Sequence, residues 1–246
     1  MTSRGANVKR PHMASSGSFK RQGYHHGNLR EALIAAARDL IAERGPVGFT
    51  LVEAARRAGV SPAAPYRHFR DRDALVAEIC RRGFEEFGKR LGTAWAGAGE
   101  DPLGAFARMG EAYLAFAREQ PGYYNAMFTP GPKPARIKGP AADDTFRVLQ
   151  TAVARIAGGD ARAKAHLAGL AFQVWALSHG IATLTAGGYF KPPDKGITPE
   201  KTLQAGVTAL IEGAKFDRQA DEASQRKKRR VGRPPRRVLD VPKVRA

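Results

Sequence analysis

The chain has 246 residues, 43% of them hydrophobic, and a formal net charge of +18. That composition can bury a sizeable core and excludes wholesale disorder, while the charge points to a polyanionic partner, nucleic acid first and an anionic membrane surface second. Cys80 is the only cysteine, which excludes an internal disulfide and a four-cysteine zinc site and is compatible with a reducing cytosol.

The charge is uneven. Residues 1–22 carry +5, the stretch from Phe216 onward carries +7, and everything between holds the remaining +6. Ala and Gly are abundant and β-branched residues sparse, which favours helix over sheet. There is no apolar signal-peptide core and no run of 18 apolar residues, so neither a signal peptide nor a membrane span is expected.

Residues 1–22 are Ser/Gly-rich and basic and read as a disordered arm. It is either a solvated tail or an arm that gropes for DNA, because Lys20 and Arg21 lie just ahead of the first helix. That helix opens at Asn28, with Glu31 three residues on as its capping partner. Leu29, Leu33, Ala36, Ala37, Leu40 and Ile41 mark one apolar face, and Gly45-Pro46 ends it. Thr50 and Glu53 form a second capping box, which starts helix 2 at about 51–58. Gly59 falls where the helix must stop and turn, a position that often needs positive φ. Ser61 is placed to cap helix 3, at 62 to about 69, with Pro62 in its first position. Pro65 deletes the first hydrogen bond of that helix, so it should be short and distorted. Asp71 can cap helix 4, whose stripe of Leu75, Val76, Ile79, Cys80, Phe84, Phe87 and Leu91 runs to about Arg90.

The Gly-rich stretch after Leu91 breaks the pattern, and a domain boundary is expected between 88 and 100. Asp101 can cap helix 5, which Pro121-Gly122 ends; a short aromatic helix 6 follows from Tyr123 to Phe128. The next segment is Pro-rich without periodicity and reads as a long loop. Helix 7 opens at Asp143 or Asp144 and runs to about Ile156. Helix 8, about 160–186, is apolar around much of its circumference and should be buried on more than one side. Helix 9 starts at Thr198-Pro199-Glu200, with Leu203, Val207, Leu210, Ile211 and Ala214 on one face. From Phe216 on no core face is visible. The expected fold is all-α with about nine helices: a disordered arm (1–22), a three-helix helix-turn-helix domain (23–90), a larger helical domain (91–216) and a disordered basic tail (217–246).

A helix, a Gly turn and a second short helix ending in an aromatic cluster is the layout of a DNA-reading helix-turn-helix. The run H-H-G-N-L-R at 25–30, the helix-turn-helix, and A-P-Y-R-H-F-R-D-R-D-A-L at 64–75 together resemble the DNA-binding domain of the TetR family of bacterial regulators. Trp175, His179 and Gly180 are similar to the W-x-x-x-H-G motif of one C-terminal domain type in that family. The resemblance covers about residues 24–215. It implies an all-helical homodimer paired through helices 8 and 9, with each helix 3 in a major groove of double-stranded DNA. It also implies a small-molecule inducer, of unknown identity, held in the C-terminal domain, and a cytoplasmic, nucleoid-associated bacterial protein.

Carried over by position, the base-facing residues are Ser61, Pro62, Ala63 and Ala64 at the front of helix 3, with Tyr66, Arg67 and His68 further along. Small leading residues favour contact with thymine methyls over bidentate hydrogen bonds, which leaves Arg67 and His68 as the best polar readers. Thr50 should touch phosphate. Arg72 stands where the family usually has Lys and can grip phosphate bidentately. Tyr66 either reaches the DNA backbone or packs on Phe69. Tyr24, His25 and His26 precede helix 1, near the DNA in such folds, or form a structured turn. The candidate ligand contacts are Phe106, Tyr113, Phe116, Tyr123, Tyr124, Met127, Phe128, Phe172 and Trp175, any of which also serves as ordinary core, and His179 as a hydrogen-bonding group. His166 and His179 are too far apart on helix 8 for i, i+4 metal pairing, so no metal and no cofactor is expected.

Arg230, Gly232, Arg233 and Pro234 lie in R-R-V-G-R-P-P-R-R at 229–237. This resembles an AT-hook, whose G-R-P core lies in a narrow minor groove, although Val231 stands where that motif has Arg. The stretch is a minor-groove contact, a non-specific phosphate binder or an inert tail. The leading function is a ligand-responsive repressor of a palindromic operator, released by its inducer. The alternative is a DNA-organising protein that binds through its tails with little sequence preference. No catalytic residue is proposed: there is no phosphate-cradling Gly loop, no Ser-His-Asp order in a strand context and no paired metal ligands. A membrane-surface role lacks an apolar face to accompany the basic tail. The helix-turn-helix is expected to set register, with Arg72 and the two basic ends supplying much of the affinity.

Overall fold

A computed structural model describes residues 29–99, 101–129, 140–158, 164–190 and 196–231. Its elements are α1 (Leu29–Arg44), α2 (Leu51–Arg57), a 3-10 turn (Ala64–Arg67), α3 (Arg72–Ala96), α4 (Pro102–Glu119), α5 (Pro121–Phe128), α6 (Pro140–Ala157), α7 (Lys164–Ala186) and α8 (Pro199–Val231). Every regular element among the described residues is helical, as the composition led us to expect. The Asn28 cap lies outside the described residues.

Two cores are present. Leu33, Ile41, Leu51, Phe69, Leu75 and Ile79 gather α1, α2, the 3-10 turn and the start of α3 around the smaller one. Phe87, Phe106, Phe116, Val153, Leu170 and Ile211 are among those that gather the rest of α3 with α4, α6, α7 and α8 around the larger. The division falls inside α3, between Ile79 and Cys80. Burial pushes the Cys80 thiol up to about 11, which makes it an inert apolar side chain as its place on the stripe suggested. Helix α3 continues to Ala96, past the expected end near Arg90. Ala94 and Trp95 pack on the larger core, and that burial outweighs the poor helix propensity of Gly92 and Thr93.

Helix α5 belongs to both cores. Ala126 lies in the smaller, Tyr124 and Met127 in the larger, and Tyr123 packs on each. A side chain at Gly122 would put its Cβ 2.3 Å from the Arg38 carbonyl oxygen, so glycine is what lets α5 lie on α1. Asn125 Nδ2 donates to the Ile41 carbonyl at 3.4 Å across the same contact.

An ionic network also ties α1 to α3. Glu78 accepts from Arg30, Arg81 and Arg82, each at 2.9 Å, and Arg82 also grips Glu31. The Arg81 guanidinium foremost, with Arg82 and Arg30, holds the Glu78 carboxyl down from 4.5 to about 2. A carboxyl depressed on folding stabilises fully above its unfolded value and loses that contribution as pH falls through the folded one. Wild type and Glu78→Gln are therefore expected to differ in urea midpoint at pH 6 and to converge between pH 4.5 and about 2. A constant gap across that window would show that the network contributes no pH dependence.

The helices have defined directions. Phe116 meets Phe87 with ring centroids 4.9 Å apart, Arg90 bonds Glu119, and Arg108 donates to the Gly97 carbonyl, so α4 runs back along α3 toward α1. The Thr145 hydroxyl donates to the Phe84 carbonyl and Arg155 to that of Gly99, so α6 runs parallel to α3. Helix α7 returns, bringing His179 to Tyr124 of α5. Helix α8 starts at that same end, with Glu200 beside Arg118 and Leu203 against Gly110, and runs antiparallel to α4, away from α1.

Two expectations need correction. Residues 166–186 of α7 are, by length and hydropathy, enough to cross a membrane, although no such stretch was expected. In the fold α7 packs on α4, α6 and α8. It buries Leu170, Val174 and Ile181, but Phe172 is 56% and Leu184 47% exposed, so it is covered on one side and not all round. Secondly, α8 does not end near Phe216; it continues helically through 217–231, where an unstructured tail was expected. That run contains no Gly or Pro, and its five consecutive cations at 226–230 fall at the C-terminal end of the helix, where they suit its dipole.

Candidate nucleic-acid interface and ligand cavity

The helix-turn-helix is built from local chemistry. The Thr50 hydroxyl accepts from the Glu53 amide at 3.2 Å, and the Thr50 amide donates to the Glu53 carboxylate at 2.8 Å, completing the capping box. Gly59 has φ 73, its amide bonds the Arg56 carbonyl, and the Val60 amide bonds the Ala55 carbonyl. This is a Schellman ending, which turns the chain sharply.

The second helix of the motif is only a 3-10 turn. Ser61 does not cap it; Ala63 occupies the cap with no side-chain bond, and the proline in its first turn is Pro65, not Pro62. The reason is the missing amide of Pro65. The Ser61 carbonyl is taken instead by the Ala64 amide, three residues on, and Pro65 itself is buried. Ser61, Pro62, Ala63, Arg67 and His68 are exposed along this turn, while Ala64 is half-buried. Tyr66 is 59% exposed, whereas Phe69 is buried with the Arg30 guanidinium over its ring, so Tyr66 is turned outward and Arg30 takes the place expected of a Tyr66–Phe69 pair. Arg72 is already engaged, bonding Asp73 at 2.8 Å and reaching the Val47 carbonyl at 3.4 Å. Lys20, Arg21, Tyr24, His25, His26, Gly232, Arg233 and Pro234 lie outside the described residues; Arg230 is in the last turn of α8.

The second site is a cavity of about 670 Å³ between α3, α4, α6, α7 and α8. Of the residues expected to face a ligand, Phe106, Tyr113, Phe128, Phe172 and Trp175 line it. Phe116, Tyr124, Met127 and His179 do not. Phe116 is fully buried between Phe87 and Arg90, and Met127 fills the gap left by Gly83. His179 stands one layer back: the hydroxyls of Tyr124 and Tyr113 lie 2.8 and 3.4 Å from its Nδ1. Burial lowers the His179 pKa, so it is neutral and buttresses the Tyr113 wall.

Sequence reading missed Phe84 and Phe87 of α3, Phe146 of α6 and the Leu203–Val207–Ile211 face of α8 as lining residues. Each was visible as part of an apolar stripe, but nothing local says that a stripe borders empty space. The buried polar groups on the wall are satisfied within the protein, Thr145 on the Ala141 and Phe84 carbonyls and Ser178 on the Val174 carbonyl. The lining also carries Glu111, Asp143, Glu200, Lys201 and Glu212, of which Glu200 pairs with Arg118 and Glu212 with Lys215. No cluster of three metal-ligating side chains occurs among the described residues.

A small unit presenting a helix-turn-helix, continued through one helix into a larger helical unit with a cavity, is the architecture of a two-domain helix-turn-helix protein. The chain belongs to the TetR family: the model for bacterial regulatory proteins of the tetR family matches residues 33–79, and that described as tetracyclin repressor-like, C-terminal domain matches residues 106–210. A solved protein of unknown function from Rhodococcus sp. RHA1 is 31% identical, with a TM-score of 0.62 over 78% of this chain and 98% of that one. The HTH-type transcriptional regulator BetI of Brucella suis biovar 1 (strain 1330) is 33% identical over 92 residues, 37% of this chain and 46% of its own. The uncharacterised HTH-type transcriptional regulator YobS of Bacillus subtilis (strain 168) is 27% identical over 100 residues, 41% and 51% respectively. The chain thus spans about half the length of the curated relatives it matches.

Proposed function

We propose that the protein is a cytoplasmic, nucleoid-associated transcriptional repressor that binds a palindromic operator as a homodimer and is released when a small, largely apolar molecule fills the cavity. The observation that carries this is the double membership of α3. Its first turns pack against the 3-10 turn of the helix-turn-helix, and its later residues Phe84, Phe87 and Leu91 line the cavity. Anything that reshapes the cavity wall therefore bears on the helix that holds the reading turn, which is what differential affinity between two states requires. The volume suits a drug-sized ligand, and a mostly apolar lining whose buried polar groups, Thr145 and Ser178, are already bonded favours an apolar one. Ser61, Pro62 and Ala63 lead into the major groove, Arg67 and His68 read base edges, and Thr50 and Arg72 hold phosphate. The exposed apolar side of α7, beside α8, supports pairing through these two helices.

Selection of duplexes from a random pool, with the mass of the complex, tests the reading. A palindromic consensus bound by a dimer is expected. Binding by a monomer, or equal competition from unrelated duplex, would favour the DNA-organising alternative. Arg67→Ala should weaken binding to the selected duplex by roughly ten-fold and relax its preference at one position in each half-site, in keeping with about 1–3 kcal/mol for a base contact. A uniform loss across all sequences would make Arg67 a phosphate contact instead.

A further inference from the structure

We propose, building on the reading of the cavity as the inducer site, that its occupant is a hydrophobic organic cation, such as a quaternary ammonium or phosphonium ion or a protonated aromatic amine.

The charge on the lining runs against the charge of the chain. The protein has 41 lysines and arginines against 23 aspartates and glutamates. Among the described residues the lining reverses that balance: it holds the carboxylates of Glu111, Asp143, Glu200 and Glu212, a single lysine, Lys201, and no arginine or histidine. Glu200 is paired with Arg118 at 3.5 Å and Glu212 with Lys215 at 3.1 Å. Glu111 and Asp143 are exposed and have no ion-pair partner among the described residues. Lys201 is directed toward Gly196, ahead of α8, with its Nζ 3.9 Å from the point where a Cβ on that glycine would stand. An anionic ligand therefore meets two free carboxylates and no guanidinium, and burying it would leave its charge unpaired, which is costly.

The interior supplies the other half of the recognition. Phe87, Phe106, Phe128, Phe146, Phe172 and Trp175 reach the wall from five helices. Trp175 holds Phe146 and Phe172 edge-to-face, with ring centroids 6.1 and 5.7 Å away. Aromatic rings attract a cation within about 6 Å of their centroids through the ring quadrupole, and more strongly where water is excluded. Thr145 and Ser178 donate to backbone carbonyls, and the Tyr113 hydroxyl is directed at His179. The buried wall thus has no hydroxyl hydrogen to spare, and a quaternary cation asks for none. Low-dielectric walls also focus the field of the carboxylates at the edge into the cavity. A neutral ligand gains the apolar burial alone. A hydrophobic cation gains that burial, the attraction of the rings and the carboxylates together.

Tetraphenylphosphonium and tetraphenylborate carry the same four phenyl groups on a central atom and differ in the sign of their charge. Titration calorimetry of each into the full chain, without DNA, compares them. The net charge of +18 favours the anion, so a preference for the cation can only come from a local site. Wild type should bind the phosphonium at least about ten-fold more tightly than the borate, and quench tryptophan emission as it does so, because Trp175 is in the wall. With Glu111→Gln and Asp143→Asn together, the ratio should fall below about three-fold; both side chains are exposed, so folding is not at stake. Equal or tighter binding of the borate, an unchanged ratio in the variant, or no binding of the phosphonium would each overturn the proposal. Operator binding, measured with the phosphonium present, separates this result from the repressor reading. A phosphonium that binds with the expected ratio and leaves operator affinity unchanged would overturn the role of the cavity in release and leave its cation preference standing.

Discussion

Phe116→Ala is expected to cost about 3–5 kcal/mol of folding stability, the range for emptying a fully buried aromatic site. The Phe116 side chain is completely enclosed, its ring 4.9 Å from that of Phe87 and with the Arg90 guanidinium 5.5 Å above it. Truncation leaves a void on one side and strips a cation of its aromatic platform on the other. Set against the roughly 5–15 kcal/mol that holds a domain together, this is a large fraction. Urea denaturation followed by circular dichroism measures it. A loss below 1 kcal/mol would mean that neighbouring helices collapse into the gap, or that Phe116 is a ligand contact with little structural weight.

Gly122→Val should separate the two cores. A Cβ there would stand 2.3 Å from a backbone oxygen of α1, so α5 must lift or α1 must shift. Overpacking of this kind costs about 1–3 kcal/mol. The position makes the effect more than a loss of stability, because α5, like α3, contributes side chains to both cores. Trp95 and Trp175 both pack on the larger core, so tryptophan fluorescence reports that unit alone while far-ultraviolet dichroism reports both. In wild type the two midpoints should coincide; in the variant the dichroism should begin to fall at lower urea than the fluorescence. Coincident midpoints in the variant would show that α3 alone couples the cores.

The parts of the molecule legible in the sequence are those decided within a few residues. The Thr50–Glu53 box, the Asp71 cap on the Ala74 amide and the Asp101 cap on the Gly104 amide all formed as read. Gly59 took the positive φ that its place in the turn required. Local reading failed at Ser61, where the proline three residues after Pro62 controls which carbonyl is free. It failed again on α8, where charge without an apolar face was taken for disorder although no helix breaker occurs before Gly232. The cavity lay beyond local reading for another reason. Phe106 and Phe116 are on the same helix with equally apolar surroundings, and only the approach of α7 and α8 decides that one faces open space and the other a packed interior. The place of His179 behind Tyr113 and Tyr124 likewise depends on three helices meeting.

The unbroken length of α3 also sets a mechanical scale. Its 25 residues make a rod of about 37 Å, with the reading turn at its start and the cavity residues Phe84, Phe87 and Leu91 along its second half. A tilt of roughly 5° about its C-terminal end would displace the other end by about 3 Å, close to the rise of about 3.4 Å per base step along the duplex axis. Under the repressor reading proposed above, the rod would serve as a lever by which a change at the cavity wall is enlarged at the reading turn.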